Sequence, residues 1–283
     1  MPPPTKLANA IRDIENNLTF TIMEIGAAPL ADRKEPFHDL LNAFPGSQLI
    51  AFELDKQLCA DLNRKSPRGM RYFPVALGRT EETRPLYETV HPMCTSLYRP
   101  NEPLLDCYNN LHVAKLKSIS SVETVSLDRF TADHEIRDVD FIKIDIQGTE
   151  LDVFQGGSRA LRDLVAVVSE VEFVPLYVDQ PLFGDVCRFL ADQGLMFHKF
   201  IEIAGRTLRP TIANNDPNFA IQQLWADAMF VRNVPTLAEL SPRKLLKLAL
   251  LSYLYESGDL VIHCLRLYDE QRGTRLLEVF LAQ

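Results

Sequence analysis

Residues 141–157 read FIKIDIQGTELDVFQGG. A short apolar run ends on an acid, Asp145, passes through a small polar turn containing Gly148, and enters a helical pattern. Such a strand–turn–helix passage is the unit from which sheets with crossover helices are built. Two readings of Asp145 follow. In one, Asp145 and Thr149 only satisfy loop amides and the helix start. In the other, Asp145 stands at the carboxyl end of a parallel strand, where open α/β sheets bind their ligands.

The same alternation extends in both directions. Upstream, FTIMEIG reads as a first strand, KEPFHDLLNAF as a helix, SQLIAFE as a second strand, DKQLCADLNRK as a second helix, and MRYFPVALG as a third strand with its exit loop. Gly26, Pro45-Gly46, Pro67 and Gly78 punctuate the junctions. Downstream, LVAVVSEVEF is another apolar run and PLFGDVCRFLADQG a helix, while LMFHKFIEIAG and LWADAMFVRN form an antiparallel pair that closes the sheet. Between Arg79 and about Ser120 the pattern weakens into a long polar and aromatic connection, the kind of insertion that is either a functional lid or disordered. At the start of the chain, Leu7, Ile11, Ile14 and Leu18 are spaced as one face of a helix. Beyond Pro235 the composition turns to leucine-rich helices that need burial on more than one side. The expected division is an N-terminal helix over 1–19, an α/β domain over 20–234 and a helical extension over 235–283.

With 283 residues, 46% hydrophobic and 24% charged, the chain can bury a large core. Its net charge of -8 argues against nucleic acid as a partner. The five cysteines are scattered without a C-x-x-C pair, so neither a disulfide framework nor a zinc site is expected, and a reducing cytoplasmic location fits. The apolar run LLKLALLSYLY is shorter than the roughly 20 residues that span a bilayer and contains Lys247.

The first strand leaves through EIGAAPLADRKEPF, where Gly26 lets a ligand approach the backbone. A dinucleotide site would present G-x-G-x-x-G, but Ala28 and Ala31 stand where further glycines would be sought. That ranks a nicotinamide-dependent oxidoreductase low and suits a ligand without a pyrophosphate, such as S-adenosylmethionine. Glu53 ends the second strand 27 residues after Gly26, near the spacing at which an acid accepts from a ribose diol. Glu24, Gly26, Glu53, Ala76 and Asp145 are therefore the candidate cofactor-binding residues; the bland alternative makes Glu24 and Glu53 solvated strand ends.

The series EIGA, AFELD, VALG, CTSLY, VETVSLDRF and FIKIDIQGTELDVFQGG, followed by a strand ending SEVEF, resembles the FkbM family of S-adenosylmethionine-dependent methyltransferases from about Thr21 to Asn233. The resemblance implies a class I methyltransferase sheet, Rossmann-like with helices on both faces. It also implies methyl transfer to a hydroxyl of a sugar or secondary metabolite. Two positions depart from the pattern it resembles. Gln147 stands where an acid is common, which bears on substrate or catalytic chemistry, and the first loop lacks a second glycine, which bears on the methionine end of the cofactor site.

Methyl transfer to an alcohol depends on positioning and on a base. Asp145 and Glu170 are the candidate catalytic residues: if their strands are neighbours, both acids face one cleft and raise one another's pKa. Glu172 shares a strand face with Glu170 and reads more readily as structural. His91 and Tyr98, in the long connection, are candidate substrate contacts, with packing the alternative for Tyr98. Only oxygen ligands are on offer and no dense carboxylate cluster is visible, so no metal is expected. The leading expectation is an O-methyltransferase with a small hydroxylated acceptor. The alternative is a catalytically silent binding or scaffolding protein of the same fold, with the C-terminal helices offered to partners or to a second copy.

Overall fold

The computed structural model of the chain describes residues 5–28 and 35–282. Its strands are β1 (Thr21–Ile25), β2 (Gln48–Phe52), β3 (Met70–Phe73), β4 (Ala76–Gly78), β5 (Glu82–Thr89), β6 (Leu116–Ser126), β7 (Phe141–Ile144), β8 (Ala166–Glu172), β9 (Leu195–Arg206) and β10 (Gln222–Arg232). Its helices are α1 (Thr5–Ile14), α2 (Asp39–Ala43), α3 (Lys56–Lys65), α4 (Glu102–Leu105), α5 (Leu127–Asp133), α6 (Glu150–Gln155), α7 (Phe183–Asp192), α8 (Pro242–Leu254), α9 (Gly258–Arg272) and α10 (Leu276–Leu281).

Seven strands form one sheet in the order β3-β2-β1-β7-β8-β10-β9. The first five of these are mutually parallel, and β10 and β9 add the antiparallel pair. Strand order reverses between β1 and β7, the switch point at which such sheets open a crevice. The central strands are buried on both faces, which is why they read as continuous apolar runs. One face packs α1 and α8 to α10 through Leu7, Ile11, Leu245, Leu250, Leu265 and Leu276. The other packs α5, α6 and α7 through Phe130, Phe154 and Leu190.

The leucines of α8 at 245, 246, 248, 250 and 251 are fully buried in the same core as the sheet residues Ile22, Phe141 and Val168. Each buried leucine is worth about 1.5–3 kcal/mol against exposure. Lys247, anomalous in the apolar run, is also accounted for. Its Nζ lies 2.8 Å from both oxygens of Asp140, which is 2% exposed and also accepts from the Thr21 backbone N–H at 2.9 Å. Ser241 accepts from Lys244 N and Pro242 opens α8, so this helix starts later than the leucine pattern alone suggests.

Three other expectations are revised. MRYFPVALG is two strands, because Pro74 lacks the N–H that a continuous ladder needs. β4 leaves the main sheet and joins β6 and β5 in a separate three-stranded sheet. The connection from 79 to 120 is folded throughout: β5, β6, α4 and short turns tie it to the body, with bridges between Tyr87 and Ser96, Pro100 and Tyr177, and Tyr108 and Leu208. Among the described residues no helix is long and apolar enough to cross a membrane.

Candidate functional site

At the switch point, the turns after β1 and β7 are in close contact. Asp145 N donates to Ile25 O at 3.0 Å, and Gly26 has φ +84°. A Cβ at Gly26 would stand 1.9 Å from Asp145 O, so no other residue fits without moving the β7 exit. A cavity of about 460 Å³ opens beside this junction, within the usual range for small-molecule sites. Gly26, Glu53, Ala76 and Asp145 all line it. Phe52, Leu54, Leu58 and Leu77 supply apolar wall, and Met93 to Leu97 of the long connection, except Cys94, close it from above. Glu53 Oε1 accepts from Asp55 N at 3.0 Å, and Asp55 caps α3 by accepting from Gln57 N and Leu58 N.

Four carboxyl groups, from Asp145, Glu150, Glu170 and Glu172, gather around the turn 145–149. Gln147 Nε2 donates to Asp145 Oδ1 at 3.0 Å and to Glu170 Oε2 at 2.7 Å. Glu150, 2% exposed, reaches back so that its Oε1 accepts from Ile146 N at 2.8 Å. Oxygens of Asp145, Glu150 and Glu170 lie within 4.8 Å of one another, and Glu172, 3% exposed, stands two residues further along the same strand face. The sequence shows no such cluster because its members come from three elements. One oxygen of each of Asp145, Glu150 and Glu170 accepts from a protein N–H, so the three oxygens come together as a hydrogen-bonded cluster of acids whose geometry is also that of an oxygen-ligand set for a cation.

Burial pushes the Glu170 carboxyl well above the usual range, and the charges of Asp145, Glu172 and Glu150 push it further. Burial likewise raises Glu172, with Glu150 and Asp145 adding to it. Glu150 is pushed up to about 7 by burial, partly offset by its backbone hydrogen bond. Lys143 answers this group. Its Nζ lies 3.3 Å from Asp227 Oδ1 and 3.7 Å from Asp145 Oδ2. Burial works to lower the Lys143 pKa, but Asp145, Asp227 and Glu170 outweigh it, and the ammonium is held.

Residues 24–195, well over half of the chain, match the family model described as the methyltransferase FkbM domain. The chain belongs to the FkbM methyltransferase family. Among solved structures, one described as a pericyclic reaction enzyme is 9% identical over 80% of this chain and 46% of its own, with a TM-score of 0.32. The LepI complex with SAM is 7% identical over 80% and 46%, with a TM-score of 0.32. A superfamily member from Burkholderia thailandensis bound to S-adenosyl-homocysteine is 10% identical over 81% and 76%, with a TM-score of 0.29. The chain spans less than half the length of the first two. No curated protein matches it.

Within this FkbM domain the expected site residues separate. Gly26, Glu53, Ala76 and Asp145 converge on the cavity, and Glu170 stands behind Asp145 through Gln147. Glu24 does not line the cavity. It alternates with Ile25 to the opposite sheet face and meets His38 Nε2 at 2.9 Å. His91 is exposed and its Nδ1 accepts from Met93 N, capping the turn that brings Met93 to the cavity. Tyr98 Oη donates to Asp152 Oδ2 at 3.2 Å, with the Arg84 guanidinium 5.3 Å over its ring, so its side chain is committed to packing. Ala31 and most of the first loop lie outside the described residues.

The sequence reading gives no role to Ser96 or Tyr177, takes Gln147 only as a departure from the family pattern, and takes Glu150 only as an acid that, with Thr149, can satisfy the helix start. Ser96 and Gln147 stood inside quoted motifs. Glu150 fits that reading: it opens α6 and folds back onto the turn, where its Oε1 accepts from Ile146 N.

Proposed function

We propose that this FkbM methyltransferase is an O-methyltransferase acting on a hydroxyl of a small acceptor, such as a sugar or secondary metabolite. The observation that carries the reading is the Asp145–Glu170 carboxyl pair, with Asp145 at the cavity wall and Glu170 behind it, joined by Gln147. A hydroxyl is a poor nucleophile until a base takes its proton, and a carboxylate held beside a second acid can serve as that base.

The residues present fit S-adenosylmethionine as the cofactor of this reading. The apolar wall from Phe52, Leu54, Leu58 and Leu77 suits an adenine ring, Glu53 at the end of β2 suits the ribose hydroxyls, and Gly26 with Asp145 border the reactive end. The cofactor supplies an electrophilic methyl group on a sulfonium centre. The chain contributes positioning and proton handling. Asp145, whose side chain is 37% exposed and lines the cavity with Lys143 Nζ 3.7 Å from its Oδ2, is the group that receives the hydroxyl proton. Glu170 behind it shares that proton. Met93, Thr95, Ser96 and Leu97 close the cavity over this edge and limit water. Assembly through the C-terminal helices has less support, because the α8 leucines are spent within one chain.

The test is incubation with methyl-labelled S-adenosylmethionine and a panel of hydroxyl, amine and carboxyl acceptors, with products resolved by mass spectrometry. Methyl ethers are expected. Label appearing only on nitrogen or as base-labile esters overturns the hydroxyl reading.

A further inference from the structure

Gln147 is the residue of the turn that the chemistry above leaves without a purpose of its own. It adopts φ +58°, a left-handed conformation that disfavours side chains other than those of Gly, Asn and Asp. Gly148 follows at φ +95°. A non-glycine residue persists there when its surroundings over-determine it, and here they do. The Ser96 hydroxyl donates to Gln147 O at 2.7 Å, fixing the backbone. The side-chain Nε2 spends both protons on acids, at 3.0 Å to Asp145 and 2.7 Å to Glu170. Tyr177 Oη, 3.2 Å from Gln147 Oε1 and 2.8 Å from Cys94 O, holds the far end of the amide.

We propose that Gln147 is a positioning residue whose amide clamps Asp145 and Glu170 at one separation and orientation, with Tyr177 holding the clamp. The assignment rests on the Asp145–Glu170 pair as the proton-handling unit of the proposed function. An amide suits this position because it donates to two carboxylates at once and never titrates, so the geometry survives whether the pair holds a proton or not. An acid there would bring a further carboxyl group against the cluster with no fixed donor. Lys143, whose ammonium faces the pair, lies on the Asp145 side. The groups facing Glu170 are Lys143 of β7, Asp145 just after that strand, Glu172 of its own strand, Glu150 of α6, Asp227 opposite it on β10, and Tyr177.

The consequence is directional. Donating N–H groups stabilise the ionised form of a carboxylate, so removing them raises its pKa, whereas loosening the turn and admitting water would lower a pKa that burial has raised. The measurement is an NMR titration of the Glu170 side-chain carboxyl in protein labelled with ¹³C-glutamate, assigned by its loss in Glu170→Gln. It needs no acceptor, so it stands apart from the choice between hydroxyl and other acceptors. Gln147→Met keeps the length of the side chain and removes the donors. Its Glu170 midpoint should rise by about one pH unit or more, the equivalent of a tenfold change in proton affinity. Tyr177→Phe should move it in the same direction by less. An unchanged or lowered midpoint in Gln147→Met overturns the clamp. If that variant does not fold, Tyr177→Phe decides: a rise supports the clamp, and no change or a fall overturns it.

Discussion

At the scale of single residues, the cavity separates binding from chemistry. Glu53 reaches the cavity from the end of β2 and its Oε1 is held by Asp55 N, so its carboxylate is preset for a diol. Glu53→Ala should weaken S-adenosylmethionine or S-adenosylhomocysteine binding by about 1.5–3 kcal/mol, as for hydrogen bonds to a charged group. Calorimetry should show this with the thermal midpoint of the free protein nearly unchanged. Asp145→Asn keeps shape and removes charge; it should lower methyl transfer by roughly 100-fold or more while cofactor affinity stays within a few-fold, a split that single-turnover and binding measurements read separately. Glu150 yields a pH prediction. Its folded-state pKa, about 7, lies above the ordinary 4.5, so the folded chain binds this proton more tightly than the unfolded chain. Stability from this source is complete below about 4.5 and is lost as pH rises through about 7. Glu170 and Glu172 act in the same sense. Glu150→Gln, which retains an oxygen for Ile146 N, should therefore flatten the decline of thermal midpoint between about pH 5 and about pH 8; an unaltered slope would remove Glu150 from the account.

At the scale of elements, the parallel strands and the order of their exits were legible because each β–turn–α unit has a local signature: an apolar run, a glycine or acid, then a helical period. Gly26, Glu53, Ala76 and Asp145 come together for that reason, each standing at or just beyond a strand end. Glu24 stays off the cavity for an equally local reason, since one step along a strand reverses the face. The small sheet of β4, β6 and β5 was not legible, because pairing across about 40 residues leaves no periodic mark. His91 and Tyr98 were chosen for lying in a long connection, and that connection proves to be held by contacts between distant residues. Arg84 Nη1 meets Asp152 Oδ2 at 2.6 Å, and Tyr98 shares the same oxygen, fastening β5 to α6. Tyr98→Phe should then cost about 1 kcal/mol in urea unfolding, with no change in acceptor KM. A selective rise in acceptor KM would return Tyr98 to the substrate side.

At the scale of the whole molecule, the leucine-rich end of the chain is a structural half of the sheet's own core, and Lys247 shows how the two are joined. The Lys247–Asp140 pair sits just before β7, whereas Asp145 lies just after it, so one four-residue strand of about 13 Å separates the fastening from the acid cluster. Burial raises the Asp140 pKa, and the Lys247 charge works to lower it. Removing Lys247 leaves a buried carboxylate facing an apolar helix, its remaining donor the Thr21 backbone. Breaking such a pair from one side typically costs about 3–5 kcal/mol, more than either partner gains from the pair itself, because the orphaned charge stays desolvated. Lys247→Met should lose about that much stability in urea unfolding, and adding Asp140→Asn in the same chain should recover part of it by removing the charge. Cofactor affinity of the folded Lys247→Met protein should stay within a few-fold of the parent, since the cavity lies at the opposite edge of the sheet. A variant as stable as the parent would mean that α8 is not fastened through this pair, and a truncation before Leu237 that stayed soluble and equally stable would mean that the extension is not part of the core at all.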